Sequence, residues 1–386
     1  MKLTMDRDFS LPIFQAFPKL AGAAGHVPLA TLPTPLETHR GPDLGLPLQS
    51  LMIKRDDVSG RLYGGNKVRK LEFLLGEALR VRARGVLTFG VAGSNHALAT
   101  SIYAQSCGLE CHSMLTRQSN AAYVRRNLLA GLHAGAHLLP CNSEEDAAAE
   151  ASRLISDARD RGETIVSVRG GGSTPLGCLG FVNAGLELAQ QLRQQSLPVP
   201  DRIYLALGTV GTAAGLLLGI RLAGLPTGMV AVRVVREDIA SPRRFRDLIQ
   251  GTEQMLDCAG SCGDELPEIR HEFIGPGYAR FTTEGVAAMG VAHRSLGLKL
   301  EGTYTGKAFA ALLHDCRQGR LENENVLFWN TYNSRPIARA ALALDYRSLP
   351  EPFHTYFRRP LQPLDPEAGE DPLRSEHAEG VNSADE

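Results

Sequence analysis

Short apolar segments alternate with amphipathic segments through most of the chain, and this pattern predicts an α/β protein. The clearest apolar segments are GVLTFGVAG (85–93), RIYLALG (202–208) and NVLFWNT (325–331). They are continuously apolar rather than alternating, which is typical of strands buried on both faces of a parallel sheet. Helical patterns lie between them, so we predict parallel sheets that are covered by helices on both sides.

The remaining predicted elements follow the same rhythm. We predict further strands at 110–115, 136–140, 164–168, 229–235 and 271–275, and helices at 95–108, 121–132, 144–160 and 176–196. This number of units exceeds one comfortable sheet, so two α/β domains are expected. The polar segment 236–270 interrupts the rhythm, and we interpret it as an inserted surface excursion.

The two ends of the chain differ from the middle. Residues 1–30 are weakly patterned and rich in proline, alanine and glycine, and we expect them to be peripheral. Residues 361–386 carry eight acidic residues against one basic residue, together with three prolines. Such a composition is typical of segments that cannot bury enough apolar surface to fold, so we predict a disordered acidic tail.

Composition excludes several classes of function. The 386 residues are 43% hydrophobic and 22% charged with a net charge of −1, so nothing favours nucleic acid or a membrane surface as a partner. Neither a membrane-spanning run nor a secretion signal is recognisable, and seven scattered cysteines suit free thiols. We therefore predict a cytoplasmic location. Cys258 and Cys262 lack two further soft ligands nearby, so we predict no metal site.

The segment YGGNKVRKLE (63–72) carries the first candidate for chemistry. Lys67 follows two glycines and Asn66 at a predicted helix start, and Lys70 lies one turn further on. A lysine near a helix N-terminus experiences positive potential, which favours the neutral amine needed for Schiff-base chemistry. The alternative is an ordinary solvated helix start.

Two predicted strand-to-helix turns are candidate anion sites. In LGTVGTAAGLLLG (207–219), Gly208, Thr209, Val210, Gly211 and Thr212 form a glycine-rich turn of a kind that can hold a phosphate or carboxylate at a helix start. The motif is neither a Walker A loop nor G-x-G-x-x-G. Glycines needed only for close packing are an equally good interpretation of this turn.

The second turn lies in VAGSNHALAT (91–100), where Ser94, Asn95 and His96 open a predicted helix. These residues form a second candidate anion site, although serine and asparagine are also common helix caps. A third glycine-rich turn, RGGGSTPLGCLGFV (169–182), is interpreted as backbone held close to an interface.

Two anion sites and a reactive lysine together suit one cofactor and one class of substrate. Pyridoxal phosphate needs a lysine, a phosphate site, a group near its pyridine nitrogen and a seat for the carboxylate of an amino acid. We therefore predict pyridoxal 5'-phosphate as the cofactor and a small amino acid as the substrate.

The chain resembles the PLP-dependent fold-type-II enzymes grouped as D-cysteine desulfhydrase and 1-aminocyclopropane-1-carboxylate (ACC) deaminase. The motifs that carry the resemblance are IKRDDVSGRLYGGNKVRKLEFLLGEAL (53–79), GSNHA (93–97), GGSTPLGCLGFV (171–182), GTVGTAAGL (208–216), GPGYARFTTEG (275–285) and TYTGKAFAAL (303–312). It spans about residues 30–345. It implies a tryptophan-synthase-β-like fold with two parallel-sheet domains, the cofactor in the cleft between them, and a homodimer.

The resemblance also implies domain boundaries and roles. The large domain would comprise residues 1–67 and 175–360, and the small domain residues 68–174. Lys67 would bond to the cofactor and move the Cα proton, Asn66 and Asn95 would lie near the cofactor ring, and Lys70 with residues 208–212 would hold its phosphate.

The resemblance implies five residues on the substrate side of the site, namely Ser94, Asn95, His96, Tyr278 and Tyr304. Ser94 and His96 are expected at the substrate carboxylate or at the position of a base. Tyr278 and Tyr304 match tyrosines that face the substrate, although ordinary core aromatics are the alternative. Catalytic roles are thus implied for Lys67, Ser94, Tyr278 and Tyr304.

Thr305 departs from the pattern of ACC deaminase. The residue that follows the second tyrosine is acidic there, and a carboxylate keeps the pyridine nitrogen protonated, whereas the hydroxyl of Thr305 only forms a hydrogen bond. The weaker electron sink favours β-elimination of a good leaving group over ring opening.

Two further departures concern glycines. Tyr332 and Asn333 in WNTYNS (329–334) stand where the family has glycines, and Val210 replaces a glycine of the phosphate turn. Our hypothesis is a lyase of the D-cysteine desulfhydrase type. The alternatives are ACC ring opening, a racemase, a β-replacement enzyme and an inactive PLP-binding sensor.

Overall fold

The computed structural model describes residues 10–370 and contains two β-sheets. The larger sheet has the order β1-β2-β10-β7-β8-β9, and the smaller has the order β5-β4-β3-β6. The strands are β1 Leu36–Arg40, β2 Ser50–Lys54, β3 Gly85–Val91, β4 Glu110–Thr116, β5 His137–Pro140, β6 Ile165–Val168, β7 Arg202–Leu207, β8 Gly228–Arg233, β9 Glu268–Arg270 and β10 Asn325–Trp329. All pairs are parallel except β1 with β2.

Helices connect the strands in the manner that parallel pairing requires, because each parallel neighbour must be reached by a crossover. The α-helices are α1 Pro12–Ala16, α2 Leu20–Ala23, α3 Lys67–Arg80, α4 Asn95–Ser106, α5 Ala122–His133, α6 Glu144–Asp160, α7 Pro175–Gln194, α8 Gly211–Leu222, α9 Pro242–Leu256, α10 Thr283–Leu296, α11 Thr305–Arg317, α12 Arg339–Leu342 and α13 Thr355–Arg358.

The continuous apolar strands are explained by burial of both faces of the larger sheet. Along β7, Ile203 and Leu205 belong to a core cluster with α7 and α8, whereas Tyr204 belongs to a cluster with α10 and α11. Because successive side chains point to opposite faces of a strand, both faces need apolar residues.

A buried ionic cluster fixes the first turn of α3. Arg69 donates to Asp56 at 2.8 Å and to Glu187 at 2.9 Å, and Lys54 lies 2.6 Å from Glu187. The indole nitrogen of Trp329 also donates to Asp56 at 2.8 Å. The cluster therefore joins α3 to β2, α7 and β10 at a point two residues after Lys67.

The polar segment 236–270 is not the surface excursion that its sequence indicated. It contains α9, whose Phe245, Leu248 and Ile249 are buried in the core beside α7 and α8. The predicted strand at 271–275 is also wrong, because the strand in this region is β9 and residues 272–274 form a 3-10 turn. Apart from the buried Glu253 and the half-buried Arg244, the charged residues of α9 are exposed, and they mask an apolar stripe of helical spacing in the sequence.

Both ends of the described chain also differ from expectation. Ile13 and Phe14 of α1 are buried in the large core, so residues 10–30 are not peripheral; residues 1–9 lie outside the described residues. Leu361 and Ala368 are buried against α5, so the first part of the predicted disordered tail is packed. The rest of that tail, residues 371–386, lies outside the described residues.

Metal sites and membrane-spanning helices would indicate other functional classes. Between residues 10 and 370, no group of three or more His, Cys, Asp or Glu side chains is arranged to hold a metal ion. In the same part of the chain, none of the helices combines the length and apolar character needed to cross a membrane.

Candidate active site

A cavity of about 780 Å³ lies where the carboxyl ends of the strands of the two sheets meet. Strands of parallel sheets present their following turns at this edge, which is the usual ligand position in such folds. The cavity is lined by these predicted residues: Asn66, Lys67, Lys70, Ser94, Asn95, His96, Gly208, Thr209, Val210, Thr212, Tyr278, Tyr304 and Thr305. Gly211 is the predicted residue that does not line it.

Lys67 is the first residue of α3, and its amine reaches the cavity. The Nζ atom donates to Oδ1 of Asn66 at 2.9 Å. Burial, together with the charge of Lys70, lowers the pKa of Lys67 to about 7. The amine is therefore largely neutral just above neutral pH, mainly because of burial rather than the helix dipole that the sequence suggested.

The double glycine before Lys67 is needed for a close approach of backbones. A Cβ on Gly64 would lie 2.0 Å from the carbonyl oxygen of Asp57, and Gly65 has a φ of +91°. The amide nitrogen of Gly64 donates to Oδ1 of Asn333 at 2.7 Å. Asn333, which replaces a family glycine, thus supports the turn that presents Lys67.

The turn between β7 and α8 has a strained backbone. Gly211 N donates to Thr209 O at 2.9 Å, which closes a three-residue γ-turn around Val210. Val210 has a φ of +73° and a ψ of −40°, a conformation that is rare for a β-branched residue. Strain of this kind persists only when neighbouring contacts hold it, and it concentrates at binding sites.

The contacts that hold this turn come from the third glycine-rich segment. The Oγ atom of Ser173 lies 2.8 Å from Oγ1 of Thr209 and accepts from Gly211 N at 3.2 Å. A Cβ on Gly171 would lie 2.0 Å from Oγ1 of Thr209. The 169–182 segment therefore supports the candidate phosphate turn, as its interpretation as an interface suggested.

Lys70 lies beside the same segment. Its Nζ atom donates to the carbonyl oxygen of Gly171 at 3.0 Å, and its side chain is buried. Burial lowers the pKa of Lys70 to about 8, so the amine exchanges its proton readily but remains cationic at neutral pH. An anion bound in the cavity would raise that pKa and stabilise the charge.

The turn between β3 and α4 presents Ser94, Asn95 and His96. Ser94 caps α4, because its Oγ accepts from Ala97 N at 3.1 Å. This is the helix-capping role that the sequence suggested as the alternative to ligand binding. The same hydroxyl still carries a proton for donation into the cavity. Oδ1 of Asn95 accepts from the amide of Asn127 at 3.0 Å, which fixes the orientation of Asn95.

His96 is the buried polar residue of this turn that lacks a protein partner. Within residues 10–370, neither of its ring nitrogens has a hydrogen bond of normal geometry. Burial, with the charges of Lys67 and Lys70, holds the pKa of His96 well below its usual value, although the backbone of Arg169 opposes the shift. Since buried polar groups are nearly always paired, this neutral imidazole is suited to a ligand in the cavity.

Tyr278 and Tyr304 form a hydroxyl pair in the cavity wall. Their oxygen atoms lie 2.7 Å apart, and their rings meet edge to face. Burial raises the pKa of both phenols, so both are protonated at neutral pH. One of the two hydroxyl protons is engaged between them, and the other is available to a ligand.

Glu301 is a cavity residue that sequence reasoning missed. Its carboxylate accepts from the backbone nitrogens of Thr303 at 2.8 Å, Tyr304 at 2.7 Å and Thr305 at 2.9 Å. Burial raises the pKa of Glu301 although these hydrogen bonds oppose the shift. An acidic residue just before a helix start that lacks a capping side chain was the signal that could have identified it.

Thr305 is held by the same residue. Its Oγ1 accepts from Glu301 N at 3.0 Å, and the hydroxyl is buried at the start of α11. The carboxylate of Glu301 is occupied by backbone donors, so the side chain that Thr305 presents to the cavity is a hydroxyl without a charge.

The outer part of the cavity is positively charged. Four arginines and one acidic residue line it: Arg117, Arg169, Arg236, Arg244 and Glu144. Arg236 is paired at 2.6 Å with the exposed Asp238. Such an excess of positive charge attracts anionic ligands toward the cleft.

These residues fit pyridoxal phosphate. The 208–212 turn at the start of α8, with Lys70, provides a site for a dianionic phosphate. Lys67 supplies an amine of lowered pKa for the aldehyde, and the unpaired His96 provides a polar partner. The chemistry of this set of donors is the one that this cofactor requires.

Comparisons with known proteins agree with this interpretation. A family model described as pyridoxal-phosphate dependent enzyme matches residues 27–331. The chain is 34% identical over 320 residues to nocardicin C-9' epimerase of Nocardia uniformis subsp. tsuyamanensis, covering 81% of this chain and 94% of the relative. It is 31% identical over 328 residues to D-cysteine desulfhydrase of Klebsiella pneumoniae, covering 83% of this chain and 96% of the relative.

Solved structures show the same fold. An ACC deaminase homologue superposes with a TM-score of 0.71 at 28% identity, covering 83% of this chain and 94% of that chain. Threonine deaminase isoform 2 from Solanum lycopersicum superposes with a TM-score of 0.56 at 17% identity, covering 89% and 94%, and supports the fold alone. The predicted fold class, resemblance and cofactor are confirmed, and the chain belongs to the family of pyridoxal-phosphate-dependent enzymes.

Proposed function

We propose that this PLP-dependent enzyme catalyses α,β-elimination on a small amino acid of the D-cysteine type, giving a 2-oxo acid and ammonia. The observation that carries the proposal is the position of Lys67, whose amine is held beside Asn66 in a cavity where the start of α11 presents the uncharged Thr305, and whose pKa burial lowers to about 7. D-Cysteine desulfhydrase is among the relatives at 31% identity.

The bound cofactor supplies an electron sink that acidifies the Cα–H bond of an amino acid. In our proposal Nζ of Lys67 accepts that proton, because a neutral amine is a base and a protonated one is not. Ser94, Asn95 and His96 bind the substrate carboxylate at the N-terminus of α4, where the helix dipole favours an anion. Each of these residues lines the same cavity.

The tyrosine pair is proposed to act on the leaving group. Tyr278 and Tyr304 are both protonated, and their hydroxyls are 2.7 Å apart. The free proton of the pair can be donated to a departing β-substituent, and the proton that Lys67 accepts from Cα then balances the one that the pair has lost. General acid catalysis of this kind contributes about 10²–10⁴-fold to a rate.

The hydroxyl of Thr305, which carries no charge, supports elimination rather than ring opening. A hydroxyl cannot keep a pyridine nitrogen protonated as a carboxylate does, and Glu301 is occupied by three backbone donors. A weaker electron sink suffices when the leaving group is good, as for a thiol. ACC ring opening therefore ranks below elimination.

A second candidate, epimerisation at Cα of a larger amino-acid substrate, is favoured by the outer cavity. The cavity extends to Arg117, Arg169, Arg236 and Arg244, which suits a substrate with an anionic distal group. The first relative described above is an epimerase at 34% identity. An epimerase would return the Cα proton and leave the β-bond intact.

One experiment separates these candidates and an inactive sensor. The PLP-loaded protein is incubated with D- and L-amino acids, and ammonia, 2-oxo acid and Cα hydrogen exchange are measured, with Lys67→Ala as the control. Release of ammonia and 2-oxo acid supports elimination, and exchange without release supports epimerisation. Neither signal with any substrate, or an unchanged cofactor absorbance in Lys67→Ala, contradicts the proposal.

Other expectations remain predictions. They are the division into a large domain of residues 1–67 and 175–360 and a small domain of residues 68–174, the homodimer, and the cytoplasmic location. The mass of the protein in solution tests the homodimer directly.

A further inference from the structure

The segment after α12 contacts residues behind two walls of the cavity, and it lies beyond the part of the chain that the family model matches, which ends at residue 331. We call residues 355–369 the C-terminal strap. It begins with α13 and packs along α5 beside the smaller sheet. It then reaches the segment that carries Tyr278, which lies on the side of the larger sheet.

One contact of the strap holds the Tyr278 segment. The side-chain amide of Gln362 donates to the carbonyl oxygen of Ala279 at 3.1 Å and accepts from Phe281 N at 2.8 Å. Gln362 is 8% exposed, so both bonds are shielded from water. The pair of bonds brackets the backbone just after Tyr278.

That backbone needs support. Ala279 has a φ of +59°, which is the left-handed region that side-chain-bearing residues rarely adopt. Such a conformation costs about 1–3 kcal/mol and persists only where the surroundings impose it. Gln362 supplies two hydrogen bonds to this backbone, which lies next to Tyr278, and the Tyr278 hydroxyl lies 2.7 Å from that of Tyr304.

A second contact of the strap holds the opposite wall. The Oη atom of Tyr356 accepts from Gln118 N at 3.0 Å. Oε1 of Gln118 in turn accepts from Gly93 N at 2.8 Å, and Gly93 directly precedes Ser94. The strap therefore connects to the turn that presents Ser94, Asn95 and His96.

The strap itself is anchored to α5. Oδ2 of Asp365 accepts from Ala122 N at 2.8 Å and so caps a helix that has no capping side chain of its own. The amide of Asn120 donates to the carbonyl oxygens of Tyr356 and Arg359 at 3.0 and 2.8 Å. These bonds connect residues more than 230 positions apart, so the strap can dock only when α5 is folded.

We propose that the C-terminal strap is a positioning element of the active site, in which Gln362 sets the place of Tyr278 and Tyr356 sets the place of the Ser94–His96 turn. Neither strap residue lines the cavity, so each acts through another residue. The proposal rests on the proposed function in taking Tyr278 as a residue of the reaction.

Hydrogen exchange tests the positioning without reference to any substrate. Gln362→Met keeps the length of the side chain but removes both hydrogen bonds, and we expect at least tenfold faster exchange in a peptide covering residues 275–285. Glu367→Gln is the control, because it removes only the exposed pair with Arg126 from the same strap. Equal exchange in the wild type and the Gln362→Met variant would overturn the proposal.

Steady-state kinetics test how this positioning affects kcat and KM. In Gln362→Met we expect kcat to fall about tenfold with KM little changed. In Tyr356→Phe we expect KM to rise, because the loss of the hydroxyl loosens the Ser94–His96 turn, which is proposed to bind the substrate carboxylate. Combining Gln362→Met with Tyr278→Phe should add no further loss of kcat, since Gln362 acts through the Tyr278 hydroxyl. Fully additive losses, or unchanged kcat in Gln362→Met, contradict the assignment.

Failure of the proposed function and failure of the positioning role give different results in these experiments. If the wild type turns over no amino acid but Gln362→Met still speeds exchange at 275–285, the proposed function fails and the positioning role stands. If the wild type is active and Gln362→Met changes neither exchange nor kinetics, only the positioning role fails. Thermal melts of all variants identify any general loss of folding.

Discussion

Asn66 and Thr212 are joined by a 2.9 Å hydrogen bond from Nδ2 to Oγ1, while Oδ1 of the same asparagine accepts from Lys67 at 2.9 Å. One side chain thus connects the amine to the turn at the start of α8. It sets the spacing between the part of the site suited to an aldehyde and the part suited to a phosphate.

Asn66→Ala should weaken binding of pyridoxal phosphate about tenfold, because the loss of a hydrogen bond of about 1–1.5 kcal/mol changes affinity by that factor. Titration of cofactor-free protein by absorbance measures the change. The control is Asn142→Ala, which removes an exposed asparagine from the surface near α6. Equal affinities in the wild type and Asn66→Ala would show that the spacing is set elsewhere.

The amine of Lys67 should react at a lower pH than ordinary lysines. Since its pKa is lowered to about 7, the neutral fraction rises through pH 7 rather than near the usual value of 10.5. We expect the rate at which cofactor-free protein captures pyridoxal to reach half its maximum near pH 7. Pyridoxal carries no phosphate, so the titration of that group does not enter; a midpoint near pH 10 would contradict the prediction.

The lowered pKa of Lys67 also makes the stability of the folded protein depend on pH. Between about pH 7 and pH 10.5 the unfolded chain holds a proton on Lys67 that the folded cofactor-free protein has released. Stability therefore rises with pH across this window and is reduced below it. The comparison of urea unfolding at pH 7 and pH 9 should show a smaller rise in Lys67→Met than in the wild type; identical rises would contradict it.

Arg69→Met should destabilise the protein by about 3–5 kcal/mol, because it leaves the buried carboxylates of Asp56 and Glu187 without their shared partner. Urea unfolding measures the loss. Arg153→Ala is the matched control, since Arg153 is exposed together with its pairs to Glu150 and Asp157, and such exposed pairs contribute little to stability. A loss below about 1 kcal/mol in Arg69→Met would contradict the role of the cluster.

Glu301→Ala should also destabilise the folded protein. It removes the acceptor of three backbone N–H groups at the start of α11, and each buried unsatisfied donor costs about 1–3 kcal/mol. Glu301→Gln keeps an acceptor oxygen of the same shape and should recover a large part of the loss. Equal unfolding free energies for the two variants would contradict the capping role.

The sequence predicted the parts of the site that depend on local chemistry. Lys67, the 208–212 turn and the Ser94–His96 turn are short motifs at the start of a helix, and the fold brings their side chains to one cavity. Their identities follow from what a helix start can bind, so few long-range contacts had to be known. Their proposed roles remain predictions.

The parts that were missed depend on distant backbone. Gln362 and Tyr356 bond to main-chain atoms that lie more than 80 and more than 230 residues away, and Gln362 belongs to a segment whose acidic composition indicated disorder. Glu301 binds backbone nitrogens, and its one signal in the sequence is its place shortly before the start of α11, a helix without a capping side chain at its N-cap. In α9 the apolar spacing was present, but the charged residues among its fifteen positions concealed it.

The ionic cluster around Arg69 has a consequence for how Lys67 moves. Because α3 is fastened to three other elements two residues beyond the lysine, the helix cannot turn to carry the amine toward or away from a ligand. The motion is left to the torsions of the lysine side chain. Nζ therefore moves about one fixed Cα, so in the proposed reaction it would meet the same face of a substrate in every cycle.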